Sequence, residues 1–151
     1  MHCWVELSTV FIKMELCSDN LRNVIDNKPG FFNRTRSEPM CILEYSISFQ
    51  IFKDLLEGVQ YLHESNPPVI HRDLKPQNIL ISTNHNNEKC LKICDFGLAT
   101  FHDITPMYHT EGVGTFRYLA PEVQSSRYNI KADIFSLGKI LEEIFDIDIN
   151  K

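Results

Sequence analysis

An α+β chain is what the sequence predicts, with a little β-structure first and mostly helix after it. Three observations carry this. The opening residues alternate with period two, Val10, Ile12, Met14 and Leu16 against Phe11, Lys13 and Glu15. A later run, Phe52, Leu55, Leu56, Val59 and Leu62, repeats at helical spacing. Two short apolar runs, Ile79-Leu80-Ile81 and Leu91-Lys92-Ile93, flank an Asn-rich stretch and so read as a hairpin. With 151 residues there is room for one domain with a real core.

Composition is that of an ordinary globular chain, 43% hydrophobic and 23% charged. The net charge of −5 argues against a nucleic-acid surface, which needs a basic face. Five scattered cysteines with no Cys-x-x-Cys pair argue against zinc and for a reducing, intracellular setting. No signal peptide and no apolar stretch of membrane-spanning length is expected.

In chain order, Met1 to Leu16 reads as strands. Ser18 or Asp19 can cap a short helix with Leu21, Val24 and Ile25 on its apolar face, stopped by Lys28-Pro29-Gly30. Residues 31–38 lack a period and read as a loop. Ser37 and Pro39 start a long helix to about His63, roughly 24 residues or about 36 Å. Asn66-Pro67-Pro68 breaks it, and Val69-Ile70 leads into a polar stretch. Asp95 to Glu122 is turn-rich. Lys131 to about Ile147 is a final helix with little polar face, expected to be largely buried.

The chemistry gathers in His71-Arg72-Asp73-Leu74-Lys75-Pro76-Gln77-Asn78 and, seventeen residues later, Asp95-Phe96-Gly97. Asp73 can accept a proton from an attacking hydroxyl. Lys75 is a compact cation suited to a moving phosphate. Asn78 and Asp95 offer the hard oxygens that Mg²⁺ prefers. The hairpin hangs Asn78 at one strand's start and Asp95 just past the other's end, so both should face one cleft. Leu80 reads equally well as plain core.

These motifs, with Ala120-Pro121-Glu122 in the same order, resemble the eukaryotic serine/threonine protein kinases. The resemblance covers Val10 to about Ile147. It implies a protein-kinase-like fold, incomplete in this chain: residues 1–17 as the last small-lobe strands and hinge, residues 18–151 as a truncated, mainly helical large lobe. It implies ATP and Mg²⁺. Asp73, Lys75 and Thr115 would be catalytic. Met14, the backbone of Glu15 and Cys17, Lys75, Asn78, Leu80 and Asp95 would serve the nucleotide, with Asn78 and Asp95 on the metal. Asp19 or Asn20 would either reach the ribose or cap the helix. Arg72 would pair with a phosphate on Thr110, with Thr105 and Tyr108 as the alternative carriers, or Thr110 is an unmodified loop residue. His71, Phe96, Glu122 and Asp133 would be structural, Asp133 accepting from the backbone around His71 and Arg72. A narrower resemblance rests on Met14-Glu15-Leu16-Cys17 before Asn20-Leu21, His109-Thr110 before Gly112-Val113-Gly114-Thr115, and Asp133-Ile134-Phe135-Ser136-Leu137-Gly138. These look like kinases of the alpha subunit of translation initiation factor 2, which would be the protein substrate. A Wee-type or other stress-linked kinase stays open.

The departures set a second expectation. No Gly-x-Gly-x-x-Gly loop or Val-Ala-Ile-Lys strand precedes the hinge, and Gly112-Val113-Gly114 lies too late to cover phosphates. Two function classes follow. One is phosphoryl transfer from ATP to serine or threonine of a protein, as part of a longer kinase. The other is a truncated, inactive interaction or competitor protein. The isolated 151 residues are expected to be inactive and poorly folded, and the setting cytoplasmic.

Overall fold

The computed structural model describes residues 2–83, 88–101, 114–125 and 129–147. Strands β1 (His2–Glu6) and β2 (Thr9–Lys13) form an antiparallel hairpin, in register from His2↔Lys13 to Glu6↔Thr9. Its two-residue turn, Leu7-Ser8, has positive φ at both positions, which matches the strands' twist. Trp4 lies opposite Phe11, and their rings stack 5.3 Å apart. The period-two pattern is real, but no face of this hairpin is buried among the described residues; every residue of β1 and β2 is exposed.

The linker after β2 enters β3 (Asp19–Asn20), a two-residue strand too short to leave a pattern, and then α1 (Leu21–Phe31). Of Ser18, Asp19 and Asn20, the residues expected to cap, Asn20 does so: its side chain accepts from the Asn23 N–H at 3.1 Å. Asp19 instead accepts from the Asn20 N–H and from Asn23 Nδ2, at 2.8 and 2.7 Å. The expected stop at Lys28-Pro29-Gly30 also fails, since α1 runs through it to Phe31. Proline brings no N–H for the Ile25 carbonyl, and Arg36 Nη2 supplies a donor there at 3.4 Å. The turn that ends the helix comes later, with Asn33 in the left-handed region at φ 52°.

Helix α2 (Ile42–His63) starts at Ile42 rather than Pro39 and spans 22 residues, about 33 Å. Cys41 caps it. Then β4 (Val69–Ile70) pairs with β7 (Thr100–Phe101), while β5 (Ile79–Thr83) and β6 (Lys89–Ile93) form the expected hairpin. β3 joins its outer side, giving the order β3-β5-β6. Helix α3 (Lys131–Ile144) stops three residues before Ile147. Asp133, Leu137, Ile140 and Ile144 are buried, whereas Ile134 and Phe135 stay exposed, so α3 is less buried than its composition suggested.

One core holds the three helices to the hairpin: Leu21 and Ile25, Leu55 and Val59, Leu137, Ile140 and Ile144, with Leu74, Ile79 and Tyr118 between them. Ile42, Leu43, Tyr45, Phe49 and Tyr61 of α2 remain exposed.

Beside the core lies a charged cluster at the ends of α1, α2 and α3. Arg34 grips Glu44 with two nitrogens and reaches Asp146 at 2.6 Å. Lys28 lies 3.6 Å from Glu44. Hydrogen bonds from Arg34 outweigh burial and hold the Glu44 carboxyl below its ordinary value of 4.5. A carboxyl depressed in the fold stabilises it above the unfolded value and loses that contribution as pH falls through the folded one. Stability in the wild type is therefore expected to fall steeply below about pH 4.5. Glu44→Gln should flatten that loss in a denaturation series against pH. An unchanged profile would show that the pair does not govern acid stability.

Candidate active site

β4 carries the chain to the site. His71, the next residue, is fully buried. Its backbone N–H donates to Asp133 Oδ2 and that of Arg72 to Asp133 Oδ1, both at 2.9 Å. His63, at the end of α2, lies with Nε2 2.8 Å from the same carboxylate. Three elements thus meet on one acid in the first turn of α3. Arg72 takes a left-handed φ of 70°, which a non-glycine residue keeps only where its surroundings fix it. Its Nε also donates to the Leu98 carbonyl. The His71 ring contacts the Cys94 carbonyl through Nε2 at 2.9 Å and meets Phe96 edge-on at 5.0 Å.

This bent backbone presents Asp73. Its Oδ1 accepts from the Thr115 N–H at 2.9 Å and from the Thr115 hydroxyl at 2.8 Å. Its Oδ2 accepts from Lys75 Nζ at 2.6 Å and Asn78 Nδ2 at 3.1 Å. Lys75 Nζ also donates to Thr115 Oγ1 at 3.0 Å, closing a triangle of acid, cation and hydroxyl. Burial opposes the charge on Asp73, but hydrogen bonds from Lys75 and Thr115 prevail and keep its carboxyl below the usual range. At neutral pH it is an anion able to accept a hydrogen bond and orient a hydroxyl.

Thr115 reaches Asp73 because Gly114 precedes it. Gly114 has φ +115°, and a Cβ there would sit 2.5 Å from the Arg72 carbonyl oxygen. Gly114→Ala is expected to cost about 1–3 kcal/mol of stability and to displace Thr115 from Asp73. A denaturant midpoint and a rate measurement on the same variant check this. Wild-type values for both would mean that the backbone here yields freely.

Asn78 ends a short turn, Pro76–Asn78, and its amide nitrogen is committed to Asp73, at 2.9 Å from the carbonyl and 3.1 Å from Oδ2. That turns its amide oxygen away from the carboxylate. The Cys94 N–H donates to the Asn78 carbonyl at 2.9 Å, so Asp95 follows directly on a residue bound to Asn78. Asp95 is exposed, at φ 63°. Among the described residues no three His, Cys, Asp or Glu side chains gather as a metal cage. One carboxylate and one amide oxygen fit a hard ion that keeps water and phosphate oxygens as its other ligands.

The remaining expected residues are more spread. Met14 is 70% exposed and lines only a shallow depression with His2, Lys13 and Glu15, so its place at the back of a pocket is not formed by the described residues. Leu80 is half-buried in β5. Cys17 is half-buried. Glu122 is exposed in the turn Pro121–Ser125. Thr110 lies outside the described residues. The sequence reading missed His63 and the anchoring of Glu15, whose partners are distant in the chain.

The protein kinase domain family model matches residues 1–148. Eukaryotic translation initiation factor 2-alpha kinase 1 of Rattus norvegicus is 38% identical over 149 residues, covering 89% of this chain and 23% of its own length. Calcium-dependent protein kinase 4 of Plasmodium falciparum is 42% identical over 92 residues, covering 61% of this chain and 17% of its own length. The chain thus spans under a quarter of each of these relatives. A chain of the yeast RNA Pol II CTD kinase CTDK-1 complex superposes with a TM-score of 0.75 at 29% identity, covering 98% of this chain and 44% of that one. The fold is protein-kinase-like, and with the family model matched over almost its whole length, the chain belongs to the protein kinase domain family.

Proposed function

We propose that this segment transfers a phosphoryl group from ATP to a serine or threonine of a protein substrate, as part of a longer kinase. The observation that carries the reading is the triangle at Asp73. Its carboxylate is ionised and held by Lys75 at 2.6 Å and the Thr115 hydroxyl at 2.8 Å. A substrate hydroxyl beside Thr115 would find an acceptor in Asp73 and a cation in Lys75. Asp73 orients the hydroxyl and takes its proton; Lys75 offsets charge on the transferred group. Asn78 and Asp95 would hold Mg²⁺, which when bound neutralises phosphate charge. The backbone of Glu15 and Cys17 would meet the adenine edge, with Leu80 beneath it. Phosphorylated Thr110 would pair with Arg72 and order the segment before Thr115.

The substrate proposed is the alpha subunit of translation initiation factor 2. The support is the relative named for that activity, which aligns along most of this chain, whereas the calcium-dependent kinase aligns along less of it. No helix among the described residues is long and apolar enough to cross a membrane. An intracellular, cytoplasmic setting is part of the proposal. The exposed flank of α2, with Ile42, Tyr45 and Phe49, favours a second reading as an interaction module.

The test is to incubate the full-length protein with labelled ATP, Mg²⁺ and the purified alpha subunit, followed by phosphoamino-acid analysis. Label on serine or threonine is expected. Label on tyrosine alone, or none on any protein substrate, would overturn the reading.

A further inference from the structure

Packing does little to place the linker of residues 14–18, where Cys17 is half-buried and the other four residues are exposed. Met14 is exposed, Leu16 is 95% exposed, and β1 and β2 pack chiefly on each other. Polar anchors do the placing instead. Glu15 accepts from the buried Ser82 hydroxyl with Oε1 and from Lys92 Nζ with Oε2. Three residues on, the Ser18 N–H and hydroxyl both donate to the Ile81 carbonyl at 3.0 Å. The register pairs Leu80 with Lys92 and Ser82 with Cys90, so these four side chains share one face of the hairpin. Ser82 and Lys92 are diagonal neighbours on it, and one carboxylate spans both strands. The same hairpin starts directly after Asn78 and ends two residues before Asp95.

We propose that Glu15, Ser82 and Lys92 form a tether that fixes the linker backbone on the face bearing Leu80, making all three positioning residues for nucleotide binding. The inference rests on the proposed nucleotide site. None of the three touches Asp73, Lys75 or Thr115, whose hydrogen bonds close among themselves and Asn78. Loss of the tether therefore acts on affinity for ATP and not on the transfer step. The pair with Lys92 is partly exposed and weak alone; the bond from buried Ser82 to a carboxylate adds more.

In the full-length protein, Glu15→Ala, which removes both bonds, is expected to raise KM for ATP about five- to tenfold, equivalent to about 1–1.4 kcal/mol, with kcat within about twofold. Ser82→Ala and Lys92→Met should each give a smaller rise. The exchange Glu15→Lys with Lys92→Glu should bind ATP more tightly than either change alone yet short of wild type, because the ion pair returns while the Ser82 hydroxyl loses its carboxylate. Amide hydrogen exchange at residues 15–18, measured without nucleotide, should quicken in Glu15→Ala while the helices keep their protection. An unchanged KM, a matched fall in kcat, or no recovery in the exchange pair would overturn the tether. Should the wild type itself transfer no phosphate, the proposed function fails, and the hydrogen exchange decides the tether by itself: unchanged rates at residues 15–18 refute it.

Discussion

Asp73→Asn is expected to slow phosphoryl transfer by the full-length protein about a hundred- to ten-thousand-fold. The amide keeps nearly the same volume, and its oxygen can still accept from Thr115. The other position becomes an NH₂ group facing both Lys75 Nζ and Asn78 Nδ2, which in the wild type donate to that oxygen at 2.6 and 3.1 Å. Donors then meet donors, and no group is left to take the proton. Lys75 and Thr115 both keep access to water, so the stability change should stay within about 1–2 kcal/mol. ATP affinity should change less than the rate, because Asn78 Nδ2 loses the altered atom as an acceptor but keeps the Asp73 carbonyl at 2.9 Å, and the linker does not touch Asp73. Rate, denaturant midpoint and nucleotide affinity measured on one preparation separate these effects. A well-folded variant with the wild-type rate would remove Asp73 from the mechanism.

Asp133→Ala is expected to be the most damaging substitution for the fold, costing about 3–5 kcal/mol. Asp133 is completely buried, and its two oxygens satisfy His71 N–H, Arg72 N–H and His63. Alanine leaves those donors without an acceptor in a dry site. A domain's whole stability is typically about 5–15 kcal/mol, so the variant should be largely unfolded at modest denaturant. Asparagine is no remedy: its oxygen serves one N–H, while its NH₂ opposes the other. The left-handed Arg72 depends on the same bonds, so transfer should fall even where the fold survives. Urea titration of wild type, Asp133→Ala and Asp133→Asn checks this. A midpoint shift of under about 1 kcal/mol in both variants would show that water replaces the carboxylate.

Several features were legible because they are local. The hairpin of β5 and β6 follows from two apolar runs around polar turn residues, and α2 from helical spacing through Leu55 and Val59. The stretch from His71 to Asn78 declared its chemistry because the residue types and their spacing are both demanding. Boundaries were less legible. Pro29 ought to stop α1, but Arg36, distant by seven positions, supplies the donor that the proline lacks. Asn20 is the cap because it immediately precedes Leu21, the first helical residue, and its side chain there meets the Asn23 N–H.

The sequence by itself determined the family, the order of the longer elements and the proposed set of phosphate-handling side chains, since each is written in nearest-neighbour pattern and residue chemistry. Only the tertiary structure decided what those side chains touch. Asp73 meets Thr115 across 42 positions, Asp133 meets His71 across 62, and Glu15 meets Ser82 across 67. Such contacts depend on where packed helices and paired strands deliver backbone donors and acceptors. Burial then sets their worth, because a donor removed from water must find its partner in the protein.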